Sequence, residues 1–317
     1  MRNTNAMAIA VATALAAGLA AAPALSATCV TSTVAGHTFA CWMSPDISGA
    51  WTQGFIGRGT TMTFVDDFSS TDAFAGNFNG TTQTQIHGEW TTEEAGMVAP
   101  GATINRQDFN SEVAVTLALT GLNVINTSYG LIAPAKSYNP AMNWALYPQE
   151  QSIIAAAQNG TAVVSKSSGN DGVAIGSPKL SKIDTFNGGL VDVALANNPN
   201  ASVIFSGALT TNGTTSKKAV LASYSDFAGS NVTVQNHFLV VGVTDSLTGL
   251  AGTSFSAPII SGYAAILGSK FTTATPVAIT NQLLSTARTD TIRNYTASKY
   301  GKGEASLSRA LAPISIH

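Results

Sequence analysis

Short apolar stretches alternate with helical stretches along most of the chain, and this alternation limits the possible folds more than any other feature. Strands are predicted at residues 60–67, 123–130, 161–170 and 201–209, and helices at 111–122, 149–160, 275–288 and from Ser254 onward. Thr275 before Pro276 is the pattern of an N-cap followed by proline at the first helical position. Strand and helix in alternation predict an α/β fold, with a mostly parallel central sheet and helices on both faces. In such folds functional residues gather at the carboxyl ends of the strands.

The chain carries little charge, which excludes one class of partner. Charged residues make up 10% of the 317 residues, with 15 Lys and Arg against 17 Asp and Glu, so the formal net charge is −2. An ordinary soluble domain carries about 25% charged residues. Without a basic excess to neutralise a phosphate backbone, a nucleic-acid partner is not expected.

Residues 1–27 have the three-part layout of a secretory signal peptide. Arg2 supplies the positive region, an Ala-rich uncharged run covers residues 6–22, and small residues precede the expected cleavage site. A membrane anchor is the alternative, but the run is shorter than the ~20 residues of a spanning helix. A lipoprotein attached through Cys29 is disfavoured because Thr28 stands where a smaller residue is expected. We therefore expect a soluble protein, secreted or periplasmic, with no membrane contact after signal cleavage.

Cys29 and Cys41 are the only cysteines, and both follow the expected cleavage site. In an oxidising compartment, two nearby cysteines most simply form one disulfide, which would tie residues 28–49 into an N-terminal arm. A metal site is the alternative, but His37 is the only further ligand nearby. Two thiolates with one imidazole fall short of four ligands, so a structural disulfide is expected.

The segment GTSFSAP at residues 252–258 contains a candidate nucleophile. Ser254 lies near the start of an apolar helix, where backbone N–H groups lack partners and the helix dipole is positive. Such groups favour the oxyanion that forms when a hydroxyl attacks a carbonyl. From this segment alone, Ser254 is either a nucleophile or an N-capping serine.

A nucleophilic serine needs a base, and the chain has four histidines. His87 stands at the start of a predicted helix, whereas His237 lies in an extended apolar run that is typical of a half-buried strand residue. The base in turn needs a carboxylate to orient it, and Asp66 and Asp67 end the strand upstream of His87. Aspartates at a strand end are also turn formers, so both interpretations stay open at this point.

In their order along the chain, these segments resemble the subtilase family of subtilisin-like serine peptidases. GTSFSAP is similar to the nucleophile motif G-T-S-x-[SA]-x-P, His87-Gly88 with the later VAPGA to the histidine block, and VINTSYG to the substrate-binding strand. AWTQGFIGRGTTMTFVDD resembles the lead-in to the catalytic aspartate, SSGNDG the segment of the oxyanion-hole asparagine, and YGKGEASLSRAL the C-terminal stretch. The order Asp, His, Ser is that of subtilisin. The resemblance covers residues 50–312 and implies one peptidase domain at 50–317 with the three-layer subtilisin-like fold.

The resemblance implies that Asp66, His87 and Ser254 are catalytic and that Asn170 is the oxyanion donor. The two residues after Asp66, another aspartate and a phenylalanine, depart from the Ser or Thr and the Gly that are usual in the family. They leave open whether Asp66 or Asp67 pairs with His87. Asp66 is preferred because it is the first residue past the strand.

By the same resemblance, two short segments bind an extended polypeptide substrate. Backbone groups of residues 128–130 pair with the substrate, and residues 167–169 form one wall of the pocket for the residue before the cleaved bond. The residues concerned are Ser128, Tyr129, Gly130, Ser167, Ser168 and Gly169. The Tyr129 side chain either narrows a neighbouring subsite or only packs. No cofactor is expected; members of the family often bind structural calcium, but the chain has no D-x-D-x-D cluster and no site is assigned.

The resemblance as a whole implies a secreted serine endopeptidase, expected to be a monomer, that works through an Asp-His-Ser triad and an acyl-enzyme. Sedolisin-type peptidases use Glu in place of the histidine and Asp in place of the asparagine, so His87 and Asn170 disfavour that class. An inactive subtilase fold used as an exported binding module is the other alternative. Its support is the altered segment after Asp66 and the lack of an evident propeptide, since residues 28–49 are too few for an independent domain. We hypothesise that these residues instead clamp the N-terminal side of the domain.

Overall fold

Strands and helices alternate through residues 30–139 and 143–316, the parts of the chain that the computed structural model describes. The strands are β1 Thr31–Val34, β2 His37–Ala40, β3 Thr60–Asp66, β4 Phe74–Gly76, β5 Gln83–Gln85, β6 Thr103–Asp108, β7 Leu122–Thr127, β8 Ile132–Pro134, β9 Val163–Ser167, β10 Lys182–Asp184, β11 Val203–Leu209 and β12 Phe238–Gly242. The α-helices are α1 Pro45–Thr52, α2 His87–Val98, α3 Pro148–Asn159, α4 Thr185–Gly189, α5 Val232–Asn236, α6 Asp245–Thr248, α7 Ala257–Lys270, α8 Pro276–Ser285, α9 Ala297–Tyr300 and α10 Leu307–Ala310. A π-helical turn at Leu190–Leu195 continues α4, and 3-10 turns lie at Phe109–Ser111, Ala135–Ser137, Trp144–Leu146 and Thr253–Phe255.

The central sheet consists of six parallel strands in the order β12-β11-β9-β7-β3-β6. Successive residues of a strand point to opposite faces, and here both faces are covered. In β3, Phe64 packs in the apolar cluster that contains α2 and α7, and Val65 packs in the cluster that contains α3. Helices therefore lie on both sides of a parallel sheet, which confirms the predicted α/β fold.

Local sequence signals account for several helix ends. Gly160 ends α3 with a φ of 65°, a left-handed conformation that glycine adopts at little cost. The Thr275 hydroxyl accepts the N–H of Ala278 at 3.1 Å, and Pro276 occupies the first turn of α8 as predicted. The helix expected from Ser254 onward is observed as a 3-10 turn that leads into α7.

The prediction of a helix at residues 111–122 is wrong. Residues 112–118 form an extended segment without regular secondary structure, held to α3 by a 2.9 Å bond from the N–H of Val115 to the Ser152 hydroxyl. Its apolar side chains recur at every second position, which suits an extended chain rather than a helix of period 3.6. They are Val113, Val115, Leu117 and Leu119.

The described part of the N-terminal arm packs into the domain. Trp42 of the arm is buried, and its indole N–H donates to the Phe78 carbonyl at 2.8 Å. Just past the arm, Trp51 is also buried, and its indole N–H donates to the Val98 carbonyl of α2 at 2.9 Å. The predicted signal peptide and Cys29 lie outside the described residues, so the signal and the Cys29–Cys41 disulfide stay predictions. Within the described ranges, no helix is both long and apolar enough to span a membrane.

Candidate active site

Asp66 and His87 meet at the carboxyl end of β3. Asp66 is the last residue of β3 and not, as the sequence predicted, the first residue past it, because its backbone still pairs with Asp108 of β6. His87 is the first residue of α2. Asp66 Oδ1 lies 2.5 Å from His87 Nδ1, and both side chains are buried. A carboxylate at this nitrogen favours the tautomer with its proton on Nδ1 and leaves Nε2 able to accept a proton. No residue of the described chain hydrogen-bonds to His87 Nε2.

Neighbouring groups hold this pair in place. Asp66 Oδ2 accepts the hydroxyl of Thr91 at 2.8 Å, and Thr91 lies one helical turn after His87, on the same face of α2. A Cβ atom at Gly88 would lie 2.5 Å from the Asp67 carbonyl oxygen, which accepts the Gly88 N–H at 2.9 Å. Glycine after the histidine therefore permits the start of α2 to approach the end of β3.

Asp67 has a different role from Asp66. Its Oδ1 accepts the N–H groups of Ser69 and Ser70 at 3.3 and 2.9 Å, and its Oδ2 accepts the Ser70 hydroxyl at 2.5 Å. These bonds close the turn that follows β3, which is the ordinary use of an aspartate at a strand end. Of the two aspartates that the sequence left open, the one hydrogen-bonded to His87 is Asp66.

Burial and charge act on His87 in opposite directions. Burial disfavours the imidazolium and lowers the pKa of His87, whereas the charge and hydrogen bond of Asp66, with the charge of Asp67, raise it. The attraction prevails, so the pKa of His87 lies above its ordinary value of 6.5. A neutral His87, the form that acts as a base, is therefore populated only at a higher pH than for a free imidazole.

Ser254 lies in the turn immediately before α7 and is joined to the end of β7. Its hydroxyl donates to the Ser128 carbonyl at 3.0 Å, and the Ser128 hydroxyl donates to the Ser254 carbonyl at 3.0 Å. The ring of Phe255 lies 6.0 Å from the imidazole ring of His87, which brings this turn beside the histidine. In this arrangement the Ser254 hydroxyl is directed to Ser128 and not to His87.

Asn170 lies in the segment that follows the carboxyl end of β9. Its Oδ1 accepts the N–H of Thr253 at 2.7 Å and the Thr253 hydroxyl at 3.0 Å, which fixes the orientation of the amide. Its Nδ2 donates to no residue in ranges 30–139 and 143–316. Asn170 and Ser254 both line the cavity described next.

A cavity of about 310 Å³ opens next to Ser254 and Asn170. Its walls include residues at or just after the carboxyl ends of β7 and β9, which are neighbouring strands in the sheet. Of the six residues predicted to bind substrate, Gly130, Ser167 and Gly169 belong to the lining.

The other three predicted residues, Ser128, Tyr129 and Ser168, lie outside the cavity lining. The Tyr129 side chain is buried, donates to Glu150 at 2.7 Å and stacks on Phe109 at 5.7 Å between ring centroids. The side chain packs in the core. The Ser168 hydroxyl donates to the Asp226 carbonyl at 3.1 Å and is buried.

Thr91 and Thr253 are the positioning residues that the sequence analysis missed. Thr91 follows His87 by four residues in a predicted helix, and this spacing was the available signal. Thr253 directly precedes Ser254, but its contact with Asn170 spans 83 residues and has no local signature. Across the described ranges, no group of three or more His, Cys, Asp or Glu side chains is placed to hold a metal ion, so no calcium site is assigned.

Comparisons with known proteins identify a family and a fold. A model of the subtilase family matches residues 73–303. Comparison with curated protein sequences found no match. Solved structures similar to the chain include the prenylagaramide maturation protease PagA, with 16% identity, a TM-score of 0.55 and coverage of 84% of this chain and 98% of that one.

Two further structures are similar. The MycP3 protease of the type VII (ESX-3) secretion system has 18% identity and a TM-score of 0.52, with 90% of this chain and 92% of that one covered. The A-subunit of the AB5 toxin from E. coli has 18% identity and a TM-score of 0.52, with 84% and 96% covered. At these identities the likeness shows a shared fold.

Proposed function

Since the chain belongs to the subtilase family of serine peptidases, we propose that it is an endopeptidase whose catalytic triad is Asp66, His87 and Ser254. The observation that carries the proposal is the buried 2.5 Å contact between Asp66 and His87 beside the Ser254 turn. A carboxylate, an imidazole with a free Nε2 and a serine at a helix start are the parts that acyl transfer requires.

The first step is attack on the peptide carbonyl. The Ser254 hydroxyl turns from the Ser128 carbonyl toward His87 Nε2, a bond that is often long or absent in free enzymes and forms when substrate binds. His87 takes the hydroxyl proton as Ser254 Oγ bonds to the carbonyl carbon. The imidazolium is stabilised by the carboxylate of Asp66, which stays ionised.

The negative charge on the carbonyl oxygen is then stabilised by N–H groups. Asn170 Nδ2 donates to this oxyanion, together with backbone N–H groups at the start of the helical segment around Ser254. His87 next protonates the leaving amine, and the acyl group stays on Ser254. Water repeats the sequence with His87 as base and releases the acid.

An extended polypeptide is the proposed substrate, and the enzyme is proposed to act after export. The cavity beside Ser254 accepts the side chain before the cleaved bond, with backbone groups of residues 128–130 pairing with the substrate strand. Export is supported by the signal-like layout of residues 1–27. N-terminal sequencing of the protein recovered from the periplasm or the medium should begin at Thr28; a chain that keeps residues 1–27 there would contradict export by signal cleavage.

Fluorophosphonate labelling followed by peptide mapping tests the triad. These reagents react with a serine that has a working base and oxyanion hole, so label is expected on Ser254 and should be lost in Ser254→Ala and His87→Ala. Replacement of the exposed Ser223 by alanine is the matched control and should leave labelling and peptide hydrolysis unchanged. Undiminished proteolysis by Ser254→Ala would overturn the proposal, and a folded protein without label would favour a binding module.

A further inference from the structure

The cavity beside Ser254 is lined by six ionisable side chains, most of which are paired. Lys166 contacts Asp184 at 3.5 Å, and Lys179 contacts Asp171 at 3.5 Å. This leaves the exposed Lys182, whose charge is screened by solvent, and the buried Asp226. The lining residues with charge are Lys166, Asp171, Lys179, Lys182, Asp184 and Asp226.

Lys166 is not free to bind a substrate. Its side chain is 1% exposed, and its ammonium donates to the Ser167 carbonyl at 2.9 Å and to the Ser167 hydroxyl at 3.3 Å. Its third N–H faces Asp184, and the ammonium also lies 5.6 Å from the ring centre of Phe186. An ammonium has three donors, so none is left for an acidic side chain that enters the cavity.

Asp226 is the opposite case, because one of its oxygens is unused. Oδ1 accepts the N–H groups of Asp171 and Val173 at 2.9 and 3.0 Å. Oδ2 accepts no hydrogen bond from any residue that the structure describes, and no cation of those residues forms an ion pair with Asp226. The residue is 7% exposed and belongs to the cavity lining.

Gly169, which also lines the cavity, lies directly against this oxygen. A Cβ atom at Gly169 would lie 2.3 Å from Asp226 Oδ2, and the φ of Gly169 is 120°, a conformation that side chains disfavour. Only glycine therefore lets the carboxylate approach the wall that is expected to flank the substrate side chain.

A buried carboxylate outside any ion pair is costly in free energy and is uncommon outside functional sites. The charge of Lys166 also acts on Asp226, but from beyond ion-pair distance. Burial raises the pKa of Asp226 to about 7, although the two backbone N–H groups oppose the rise; the charges of Asp171 and Asp184 add to it. A cation brought in by the substrate would satisfy Oδ2 and restore the ionised form.

We propose that Asp226 makes the cavity selective for a basic side chain, lysine or arginine, at the residue before the cleaved bond. The inference rests on the proposed function for the position of the cleaved bond. It follows from the unpaired Oδ2 beside Gly169 in the cavity lining and from the neutralised Lys166–Asp184 pair.

Peptide anilides that differ only in the residue before the cleaved bond test this. Lysine and arginine are compared with methionine, which matches lysine in length without the charge, and with glutamate. At about pH 8.5 the value of kcat/KM should be about 10- to 100-fold higher for lysine than for methionine. Asp226→Asn keeps an oxygen for the N–H groups of Asp171 and Val173 but loses the charge, so the ratio should fall to about one.

Two controls accompany the variant. Asp245→Asn makes the same change at an exposed aspartate outside the cavity and should leave the lysine-to-methionine ratio unchanged. In the parent protein, the ratio should rise between about pH 5.5 and about pH 8.5, as Asp226 ionises near its raised pKa. Hydrolysis of both substrates depends equally on the protonation of His87, so this titration cancels in the lysine-to-methionine ratio. The test uses the parent protein and therefore does not depend on a variant that folds.

Binding of the same peptides to Ser254→Ala separates this inference from the proposed function. Tighter binding of lysine peptides than of methionine peptides would support a pocket selective for basic side chains, even if the parent protein does not hydrolyse them. Failure of hydrolysis with this binding preference would count against the triad and not against the role of Asp226. A ratio near one in an active enzyme would overturn the role of Asp226. Preference for glutamate would also overturn it and would indicate that Lys166 governs the pocket.

Discussion

Replacement of Asn170 by aspartate separates the observed contact with Thr253 from the proposed oxyanion role of this side chain. Asn170 Oδ1 accepts the N–H and the hydroxyl of Thr253, and Nδ2 is the proposed donor to the oxyanion. In Asn170→Asp, the new carboxylate keeps an acceptor for both bonds with Thr253 but has no N–H group to donate to the oxyanion. Asn170→Ala loses the donor and the acceptor together.

The expected magnitudes follow from these contacts. Loss of one oxyanion donor raises the activation free energy by about 3 kcal/mol, which corresponds to roughly 150-fold in kcat. The negative charge in Asn170→Asp repels the oxyanion, so its loss should be at least as large. In Asn170→Ala the Thr253 hydroxyl keeps the Gly169 carbonyl as an acceptor at 3.2 Å, so one bond is lost from the fold at a cost of about 1 kcal/mol.

Steady-state hydrolysis of a chromogenic peptide, with kcat and KM measured separately, and urea unfolding provide the assay. Both variants should lose kcat while KM changes little, because the interaction forms only in the transition state. The free energy of unfolding should fall in Asn170→Ala and stay near the parent value in Asn170→Asp. An Asn170→Asp enzyme with kcat within about fivefold of the parent, or with a loss confined to KM, would refute the oxyanion role.

Three further predictions concern the triad and the arm. Asp66→Asn should lower kcat by about 10⁴-fold, whereas Asp67→Asn should lower it by less than about tenfold, because only Asp66 is hydrogen-bonded to His87. Equal losses of kcat in the two variants would contradict this. The value of kcat/KM should rise with pH through an apparent pKa above 6.5, because the raised pKa of His87 keeps the base protonated at lower pH. In Asp66→Asn the midpoint of this rise should shift to lower pH. An unshifted midpoint would argue against His87 as the base. Trp42→Ala should reduce the free energy of unfolding by about 3 to 5 kcal/mol, since this arm residue is 3% exposed and its indole is bonded to Phe78. A loss below about 1 kcal/mol on urea unfolding would contradict a clamping role of the arm.

Local sequence patterns predict much of the architecture. The apolar run that ends at Asp66, the glycine after α3 and the Thr275-Pro276 pair each predict an element boundary that the structure contains. The wrong prediction of a helix at residues 111–122 also concerns a local pattern. An apolar segment of this length has both helical and extended candidates, and the period-two spacing of its valines and leucines decides for the extended form.

The sequence by itself determined the strand that carries Asp66, the helix that begins at His87 and the serine turn before α7, because each depends on residues close together in the chain. Only the tertiary structure decided which aspartate contacts His87, how Thr253 orients Asn170, and that Asp226 Oδ2 is left unpaired at the cavity. These contacts join residues separated by 21 to 83 positions or more, as with Ser254 and Ser128, which are 126 positions apart. The donor–acceptor distance of a hydrogen bond can vary by only a few tenths of an ångström. The partners in these hydrogen bonds are therefore set by how α2 and the turn before α7 pack on the sheet, and no local pattern encodes that packing.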